Sequence, residues 1–539
     1  MLNAPQTQRM LRQLRRLLPT YEPKEFTPLA TVDFALLETK EELFAPPETG
    51  YAPIAPGQSW GQREAFGWFR ATVTPPADRK GHALYLLPHF GGTEAMLYVN
   101  SMPYGILTAQ NGNHYAPCLT PCWDGTPLDV AVEVYTGHHV PGTQPLQNDP
   151  PPPETYVYHG ADLCSKDALV IGFIMDLRVL LELADNLPAT DYRRAQVLTC
   201  LTEVFRCTVA SPDDAPEAQW RASLEQARAA MAPCLAVKNG PNMPTAGMMG
   251  HSHMDTAWLW PTKVTLKKCA RTYSNQLALM DQYPEHRFFQ SSAYHLEWLR
   301  RYYPALFERL GEKIREGRYE PNGGVWIECD CNIPSGESMV RQFLWGQRYT
   351  EKWFGYRSNT FWLPDTFGYN AAIPQIMKGC GVDYFVTTKM SWNDTTRFPW
   401  ETFWWEGIDG TRVFTHFSNV VTWPSPEELI SRFLPEEGNL TVAEKRITDR
   451  RLLPYGFGDG GGGPMFEMLE TVARQYPNSV AFDFMGRSTT YRQLIAEIER
   501  CARALKTIGI RENDRVTIAM PNCPQAIYLF YAVNLVGAI

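Results

Sequence analysis

The segment Gly250–Trp258, with the sequence GHSHMDTAW, follows the apolar run Ala246–Met249 and predicts a functional site at the end of a β-strand. Alternate side chains of a strand share one face, so His251, His253 and Asp255 can point the same way as the chain leaves the sheet. Neutral imidazoles and a carboxylate together suit a divalent ion such as zinc. The alternative is a polar strand end whose histidines only satisfy backbone groups, which is the commoner origin of an isolated His-x-His pattern.

Two later segments repeat the pattern of a strand followed by a carboxylate. Thr360–Tyr369 reads TFWLPDTFGY, with Asp365 just after its apolar run, and Arg451–Asp459 reads RLLPYGFGD. Folds built from β/α units collect such carboxylates around one pocket at the carboxyl ends of their strands. The three segments therefore predict one shared site.

Strand and helix signals alternate from Thr245 to about Pro464, which predicts a mostly parallel sheet with helices between its strands. The predicted strands are residues 247–250, 287–290, 360–363, 384–387, 413–416 and 452–455, and predicted helices include residues 294–310 and 338–353. Upstream, short alternating apolar runs predict a β-sandwich within residues 1–155. Helical spacing in residues 156–242 predicts a helical connector between the two.

Composition narrows the class of protein. The 539-residue chain has a net charge of −8, whereas nucleic-acid binding needs a basic surface. The run Ala526–Ile539 is too short to cross a membrane, and the N-terminal arginines are not followed by the apolar segment of a signal peptide. The twelve cysteines lack the spacing of a zinc finger or a disulfide framework. We therefore expect no nucleic-acid or membrane partner, reduced thiols and a cytoplasmic location.

Four motifs, HSHMDTAWLWP, WLPDTFGYN, TTKMSWND and LLPYGFGDGGGGP, resemble glycoside hydrolase family 38, the α-mannosidases, and most closely its bacterial and cytosolic branch. The resemblance covers roughly residues 1–468. It implies an accessory β-sandwich and then, in residues 243–466, an incomplete (β/α)₇ barrel. It also implies a zinc-dependent retaining enzyme that hydrolyses terminal α-mannosides of oligosaccharides through a glycosyl-aspartate intermediate.

The resemblance assigns roles to residues of these motifs. Zn²⁺, with Co²⁺ as an alternative ion, is held by His253, Asp255 and the nucleophile Asp365. Asp459 is our choice for the acid/base group because it closes a strand and is flanked by glycines, which let a sugar approach the backbone. The rival carboxyl groups, which we expect to line the same pocket and bind substrate, are Glu328, Asp330 and Asp394.

Three further side chains are candidate sugar contacts. Trp258 is placed to stack beneath the sugar, and Lys389 and Trp392 are expected to shape the site for the mannose ring. Ordinary packing is the alternative for each. The family's fourth zinc ligand is a histidine beyond the glycine-rich motif, and this sequence has no histidine after His416. His416 is either its substitute or a buried structural histidine.

Residues 467–539 have a different character, and the segment from about residue 465 resembles the start of an acyl-CoA synthetase of the adenylate-forming superfamily. A helix entry at Thr489–Leu494 and the run Asp514–Asn522 occur in that family's order. This predicts a partial α/β fragment that makes no acyl-adenylate, with association or aggregation through Ala526–Ile539. The functions to separate are a weak or inactive α-mannosidase, an AMP-forming acyl-CoA ligase fragment, and an inert product of gene fusion or misassembly.

Overall fold

The computed structural model describes residues 4–108, 117–137, 154–238, 244–258, 260–391, 395, 398–433, 448–459, 461–469, 480–484 and 487–511, with scattered residues between 514 and 536. The chain divides into two compact units. The first contains Met1–Cys234 and Pro241–Leu469, and the second contains Leu235–Gly240 and Glu470–Ile539. Within the described residues, no helix is long and apolar enough to cross a membrane.

The N-terminal part of the first unit consists of helix α1 (Ala4–Tyr21) and twelve short strands. The strands are β1 (Phe26–Thr31), β2 (Ala35–Thr39), β3 (Ala52–Pro53), β4 (Ser59–Trp60), β5 (Phe66–Val73), β6 (Leu84–Pro88), β7 (Glu94–Val99), β8 (Met102–Thr108), β9 (Cys118–Thr120), β10 (Leu128–Tyr135), β11 (Tyr156–Val157) and β12 (Ala161–Lys166). They form antiparallel sheets of order β1-β12-β6-β9 and β3-β2-β5-β10-β7-β8, with β4 and β11 as a separate pair. The two larger sheets share one core, as a sandwich does.

Strand β10 shows how this sandwich joins the rest of the unit. Val130, Val132 and Val134 pack in the core between the two sheets. The alternate residues Ala131 and Tyr135 pack on the other side, in a second core with helices from the following part of the chain. Because side chains of a strand alternate between faces, this sheet is covered on both sides. The sandwich and the following β/α region therefore share a core.

Three helices follow the sandwich, namely α2 (Ala168–Asn186), α3 (Tyr192–Cys207) and α4 (Glu217–Leu235). Asp167 caps α2, since its carboxylate accepts hydrogen bonds from the backbone N–H groups of Leu169 and Val170, each at 3.1 Å. An ion pair of 3.0 Å between Arg228 of α4 and the buried Asp176 of α2 ties these two helices together.

The β/α region contains two further sheets. Its strands are β13 (Thr245–His251), β14 (Phe288–Phe289), β15 (Tyr319–Glu320), β16 (Thr360–Leu363), β17 (Tyr384–Thr387), β18 (Thr402–Glu406), β19 (Arg412–Phe417) and β20 (Arg450–Tyr455). Their orders are β15-β14-β13-β20 and β16-β17-β19-β18. All the pairs are parallel except β18 with β19. The described residues thus hold seven parallel strands in two sheets, and closure into a (β/α)₇ barrel stays a prediction.

Helices lie between these strands, as the alternation of signals predicts. They are α5 (Thr262–Gln282), α6 (Ala293–Tyr302), α7 (Pro304–Arg315), α8 (Gly336–Phe354), α9 (Ile373–Gly379) and α10 (Pro426–Phe433). Helix α5 is unusual because every residue from Val264 to Met280 is buried. It lies between the sandwich and the β/α region, so its polar side chains must find partners inside the protein.

The second unit is described in part. Strands β21 (Val480–Phe484) and β22 (Arg487–Thr490) form an antiparallel hairpin, and helix α11 (Tyr491–Thr507) begins inside the predicted helix entry Thr489–Leu494. Ala532, Val533 and Val536 are buried in a small core with residues of α11. Its identity as an adenylate-forming fragment and its tendency to aggregate stay predictions.

A buried carboxyl group in the first unit gives a test of stability against pH. Glu25 is 1% exposed, and burial, with the charge of Glu467 next in importance, raises its pKa to about 8. A carboxyl group with a raised folded-state pKa stabilises the fold fully below the unfolded value of 4.5, and this contribution is lost as the pH rises towards about 8. The Glu25→Gln variant is therefore expected to be more stable than the unaltered chain at pH 8, by roughly 2–4 kcal/mol, and nearly equal at pH 5.

Thermal or urea unfolding at the two pH values measures this difference. The exposed Glu41 provides the control, since Glu41→Gln should leave the pH profile unchanged. Equal stability of Glu25→Gln and the unaltered chain at pH 8 would contradict the assignment of a raised pKa.

Candidate functional site

Four strand ends carry the polar groups of the candidate site. His253 and Asp255 follow β13, Asp365 follows β16, Lys389 follows β17 and Asp459 follows β20. Parallel strands place their carboxyl ends at the same edge of a sheet, which is where β/α folds build their sites. In the structure the three Asp side chains meet around the imidazole of His253, and Lys389 contacts Asp365.

His253 is the centre of the cluster. Its Nε2 lies 3.3 Å from Oδ1 of Asp255 and 3.2 Å from Oδ2 of Asp365, and its Nδ1 lies 3.6 Å from Oε2 of Glu328. Burial by itself would lower the pKa of His253, but the negative charge of Glu328 and hydrogen bonds to Asp255 and Asp365 raise it well above its usual value. Without a metal, the imidazole is therefore protonated and offsets part of the charge of the carboxylates.

One group of ligand atoms is close enough to share a metal ion. Atoms of His253, Asp255 and Asp459 all lie within 4.8 Å of one another. Nδ1 of His253 is also buried without a hydrogen-bond partner. A histidine with two carboxylates is a donor set that suits a divalent cation, so the residues present fit a metal. The predicted ligand Asp365 is not in this group, although its Oδ2 contacts His253 at 3.2 Å.

Asp365 lies between two cationic partners. Its Oδ1 lies 3.1 Å from Nζ of Lys389, while Oδ2 faces His253. The hydrogen bond from His253 lowers the pKa of Asp365, Lys389 lowers it further, and burial opposes them. The carboxylate is thus held ionised, which is the state that a nucleophile or a metal ligand requires. The structure places Lys389, predicted as a sugar contact, against this carboxylate.

Asp459 has the opposite electrostatic setting. Burial raises its pKa, and the nearby charge of Asp255 raises it further, against the effects of His253 and Lys268. Its backbone is left-handed, with φ of 51°, and its N–H donates to the carbonyl oxygen of His253 at 2.7 Å. Asp459 is therefore tied twice to the backbone of the first motif, because its Oδ1 also accepts a hydrogen bond from the N–H of Asp255 at 3.5 Å.

The candidate site lies in a part of the chain that matches a known family. Residues 243–507 match the Glycosyl hydrolases family 38 N-terminal domain. The chain contains a family 38 glycosyl hydrolase domain. It is 37% identical over 432 residues to Alpha-mannosidase 2C1 of Homo sapiens, an alignment that covers 79% of this chain and 40% of that protein. It is 32% identical over 445 residues to Alpha-mannosidase G of Dictyostelium discoideum, covering 81% of this chain and 40% of that protein.

The chain thus spans about 40% of the length of these curated relatives. A separate, weaker similarity concerns its C-terminal part. It is 31% identical over 72 residues to the Long-chain-fatty-acid–CoA ligase of Bacillus subtilis (strain 168), covering 13% of each protein. The family 38 resemblance drawn from the sequence is confirmed, whereas the identity of the C-terminal segment as an adenylate-forming fragment stays a prediction. The family 38 match extends to residue 507, beyond the junction predicted near residue 466.

The remaining residues that were predicted to contact the substrate lie in different surroundings. Oε1 of Glu328 accepts a hydrogen bond from Oγ of Ser291 at 2.8 Å, which aims its other oxygen at His253. Asp330 is exposed and accepts from the backbone N–H groups of its own loop, at 2.9 and 2.7 Å. Trp258 is 48% exposed, and its ring is nearly perpendicular to that of Trp260, with the ring centroids 5.6 Å apart. Trp392 and Asp394 lie outside the described residues.

Two histidines lie apart from the cluster. Strand β13 ends at His251, whose ring stacks on Phe289 and whose Nδ1 lies 3.1 Å from the Phe289 carbonyl oxygen. Burial lowers its pKa to about 3, so this histidine is neutral and structural. The alternation that the sequence suggested stops there because the chain leaves the sheet. On β19, Nδ1 of His416 lies 3.0 Å from Oγ1 of Thr402.

Gly458, the residue before Asp459, has a packing reason that sequence analysis did not reveal. A side chain at Gly458 would come within 3.2 Å of the His253 carbonyl oxygen. The close approach of two strand ends thus favours a small residue at this position. The sequence also missed Ser291 and Lys268, because neither belongs to a motif. Each is recognised only from its contact with a carboxyl group or carbonyl of the family 38 site.

Proposed function

We propose that this chain is a metal-assisted retaining glycoside hydrolase that cleaves terminal α-mannosides through a glycosyl intermediate on Asp365. The observation that supports it best is a pair of carboxyl groups around His253 with opposite pKa shifts. The pKa of Asp365 is lowered by its cationic partners, and that of Asp459 is raised by burial. Glycoside hydrolysis needs one ionised and one protonated carboxyl group.

Each group then has a role in the reaction. The ionised Asp365 attacks the anomeric carbon, while Asp459 donates its proton to the departing glycosidic oxygen. In the second step Asp459, now ionised, takes a proton from the water that displaces the sugar from Asp365. Lys389 contacts one carboxylate oxygen of Asp365 and His253 contacts the other, so the two residues hold the nucleophile in one orientation.

A metal ion fits the same cluster, and we propose Zn²⁺, with Co²⁺ as an alternative. Bound there, it would orient neighbouring hydroxyl groups of mannose and so present the anomeric carbon to Asp365. His253 and Asp255 would hold it. We assign the third ligand to Asp365 rather than Asp459, because a ligand must be ionised and burial favours the protonated form of Asp459.

The substrate class follows from the relatives and from one exposed side chain. The family 38 relatives named above are α-mannosidases. The half-exposed indole of Trp258, three residues after Asp255, supplies a face on which a sugar ring can stack. We therefore propose α-mannoside oligosaccharides as the substrates.

A trapping experiment tests the nucleophile directly. A ring-fluorinated α-mannosyl fluoride forms the glycosyl intermediate but slows its hydrolysis, because fluorine destabilises the positively charged transition state. Peptide mass spectrometry should find one mannosyl group on Asp365. The Asp459→Asn variant should still be labelled, since fluoride leaves without protonation, and Asp365→Asn should not.

These variants separate the two carboxyl roles. A label on another carboxyl group would contradict the assignment of Asp365, and failure of Asp459→Asn to take up label would contradict the acid role of Asp459. An inverted anomer as the first product, seen by NMR, would contradict the retaining mechanism as a whole.

A further inference from the structure

One face of helix α5 holds the glycine-rich loop that follows β20. Three of its side chains donate hydrogen bonds to carbonyl oxygens of this loop: Lys268 Nζ to Asp459 (3.0 Å), Asn275 Nδ2 to Gly462 (3.0 Å) and Gln276 Nε2 to Pro464 (3.0 Å). The spacing of seven and eight residues places them on the same side of the helix. The backbone at the candidate acid is therefore positioned by side chains of a buried helix.

The first of these donors depends on a residue of the N-terminal sandwich. Nζ of Lys268 forms an ion pair with Oε1 of Glu94, at the start of β7, and Arg271 pairs with Oε2 of the same carboxylate. The side chains of Lys268 and Arg271 are 8% and 1% exposed. With little water available, Glu94 is the counter-charge for two buried cations. The ring of Trp260, 4.5 Å below Nζ, confines Lys268 further.

This series of contacts ends at the backbone of Asp459, which has an unusual conformation. Asp459 adopts a left-handed conformation, which is uncommon for a residue with a side chain. Two contacts hold its peptide groups in place, the N–H bond to His253 and the carbonyl bond from Lys268. A lysine that lost its carboxylate partner would be free to turn away from the carbonyl oxygen, because its four-carbon chain has many rotamers.

We propose that Glu94 is a positioning residue for the candidate active site, acting through Lys268 on the backbone of Asp459. This inference rests on the acid role proposed for Asp459, and it assigns the sandwich a direct part in shaping the site. The sandwich is then a part of the structure that positions the site, and not a detachable accessory domain. Its contribution comes from a residue about 365 positions away along the chain.

A neighbouring ion pair provides a matched control. Glu133 of β10, in the same sheet, pairs with Lys267 of the same helix at 2.7 Å, and the two side chains are 0% and 3% exposed. Lys267 also donates to the carbonyl oxygen of Leu43, away from the glycine-rich loop. Glu133→Gln therefore leaves one buried cation without its counter-charge, where Glu94→Gln leaves two, and it leaves the contact to Asp459 intact.

Hydrogen exchange of the metal-free protein measures the position of the loop without any need for activity. The N–H groups of Asp459, Gly461 and Gly463 are hydrogen-bonded within the site, at 2.7, 2.8 and 2.9 Å. In Glu94→Gln their exchange is expected to be about tenfold faster, and in Glu133→Gln it should stay within about twofold of the unaltered chain. Equal acceleration in both variants, or none in Glu94→Gln, would overturn the proposal.

A second variant covers the case in which Glu94→Gln does not fold. Lys268→Gln breaks the same contact but leaves Glu94 paired with Arg271, so the buried charges stay balanced. The same acceleration of exchange is expected, and its absence would overturn the proposal. If α-mannoside hydrolysis is detected, both variants should lower kcat for substrates with poor leaving groups more than for activated ones, with KM nearly unchanged.

Hydrogen exchange and hydrolase activity together distinguish a failure of the positioning role from a failure of the proposed function. Exchange that responds to Glu94→Gln in a chain without hydrolase activity would support the structural link and refute the proposed function. Activity that survives with kcat unaltered in Glu94→Gln would refute the positioning role and leave the function standing.

Discussion

The Asp365→Asn variant is expected to release nitrophenol from an aryl α-mannoside at least about 1000-fold more slowly than the unaltered chain. An amide cannot attack the anomeric carbon as a carboxylate does, so the covalent step is lost. The change also removes a negative charge from between His253 and Lys389, whose positive charges hold Asp365 ionised. Steady-state release of nitrophenol, followed by absorbance at saturating substrate, measures the effect.

Asp409→Asn is the control for this substitution. Asp409 is exposed, in a turn where its carboxylate accepts hydrogen bonds from Thr411, and it is far from the strand ends that form the site. Its variant should keep the rate of the unaltered chain within about twofold, as exposed substitutions usually do. Turnover by Asp365→Asn equal to that of Asp409→Asn would exclude Asp365 as the nucleophile.

The second large effect concerns metal affinity. His253→Ala is expected to weaken binding of Zn²⁺ at least about 100-fold, because it removes the nitrogen ligand around which the carboxyl groups converge. It also removes the imidazole whose raised pKa balances those carboxylates in the metal-free state. Competition with a chelator of known affinity, together with the zinc content after dialysis, measures the change.

His416→Gln separates the two readings of His416 that the sequence left open. In the structure this half-buried histidine lies with its Nδ1 3.0 Å from Oγ1 of Thr402, and the group of potential ligand atoms found among the described residues does not include it. The variant should therefore keep the zinc affinity of the unaltered chain. A loss as large as that of His253→Ala would make His416 the substitute ligand, and unchanged zinc content in His253→Ala would refute the metal site itself.

The arrangement of carboxylates around His253 explains why replacing this one residue is expected to have a large effect on metal binding. Asp255, Asp365 and Glu328 would repel one another at these distances if nothing positive lay between them. A proton on His253 or a bound metal ion provides that charge, and the two are mutually exclusive because a ligating nitrogen must be deprotonated. Zinc binding should therefore weaken as the pH falls, since protons compete for the same nitrogen.

Local patterns determined much of this site. An apolar run followed at once by a carboxylate predicted that Asp255, Asp365 and Asp459 would lie at strand ends, and β13, β16 and β20 place them there. Such predictions succeed because the pairing of parallel strands brings their carboxyl ends together whatever the loops between them do. The short strand β15 and the antiparallel strand β18 were not predicted. Strand β15 has two residues and β18 has five, and such short segments show too little alternation of apolar and polar residues to be recognised.

The sequence by itself thus determined the family, the alternating strands and helices, and the motif residues whose chemistry suits a glycosidase. Only the tertiary structure decided that His251 is a buried structural group, that Gly458 makes room for the backbone of His253, and that Glu94 reaches Asp459 through Lys268. Motifs record neighbours along the chain, whereas these contacts join residues up to hundreds of positions apart. Burial raises the pKa of Asp459, whereas the carboxylates around His253 outweigh burial and raise its pKa, and both results depend on what the whole fold packs around the group.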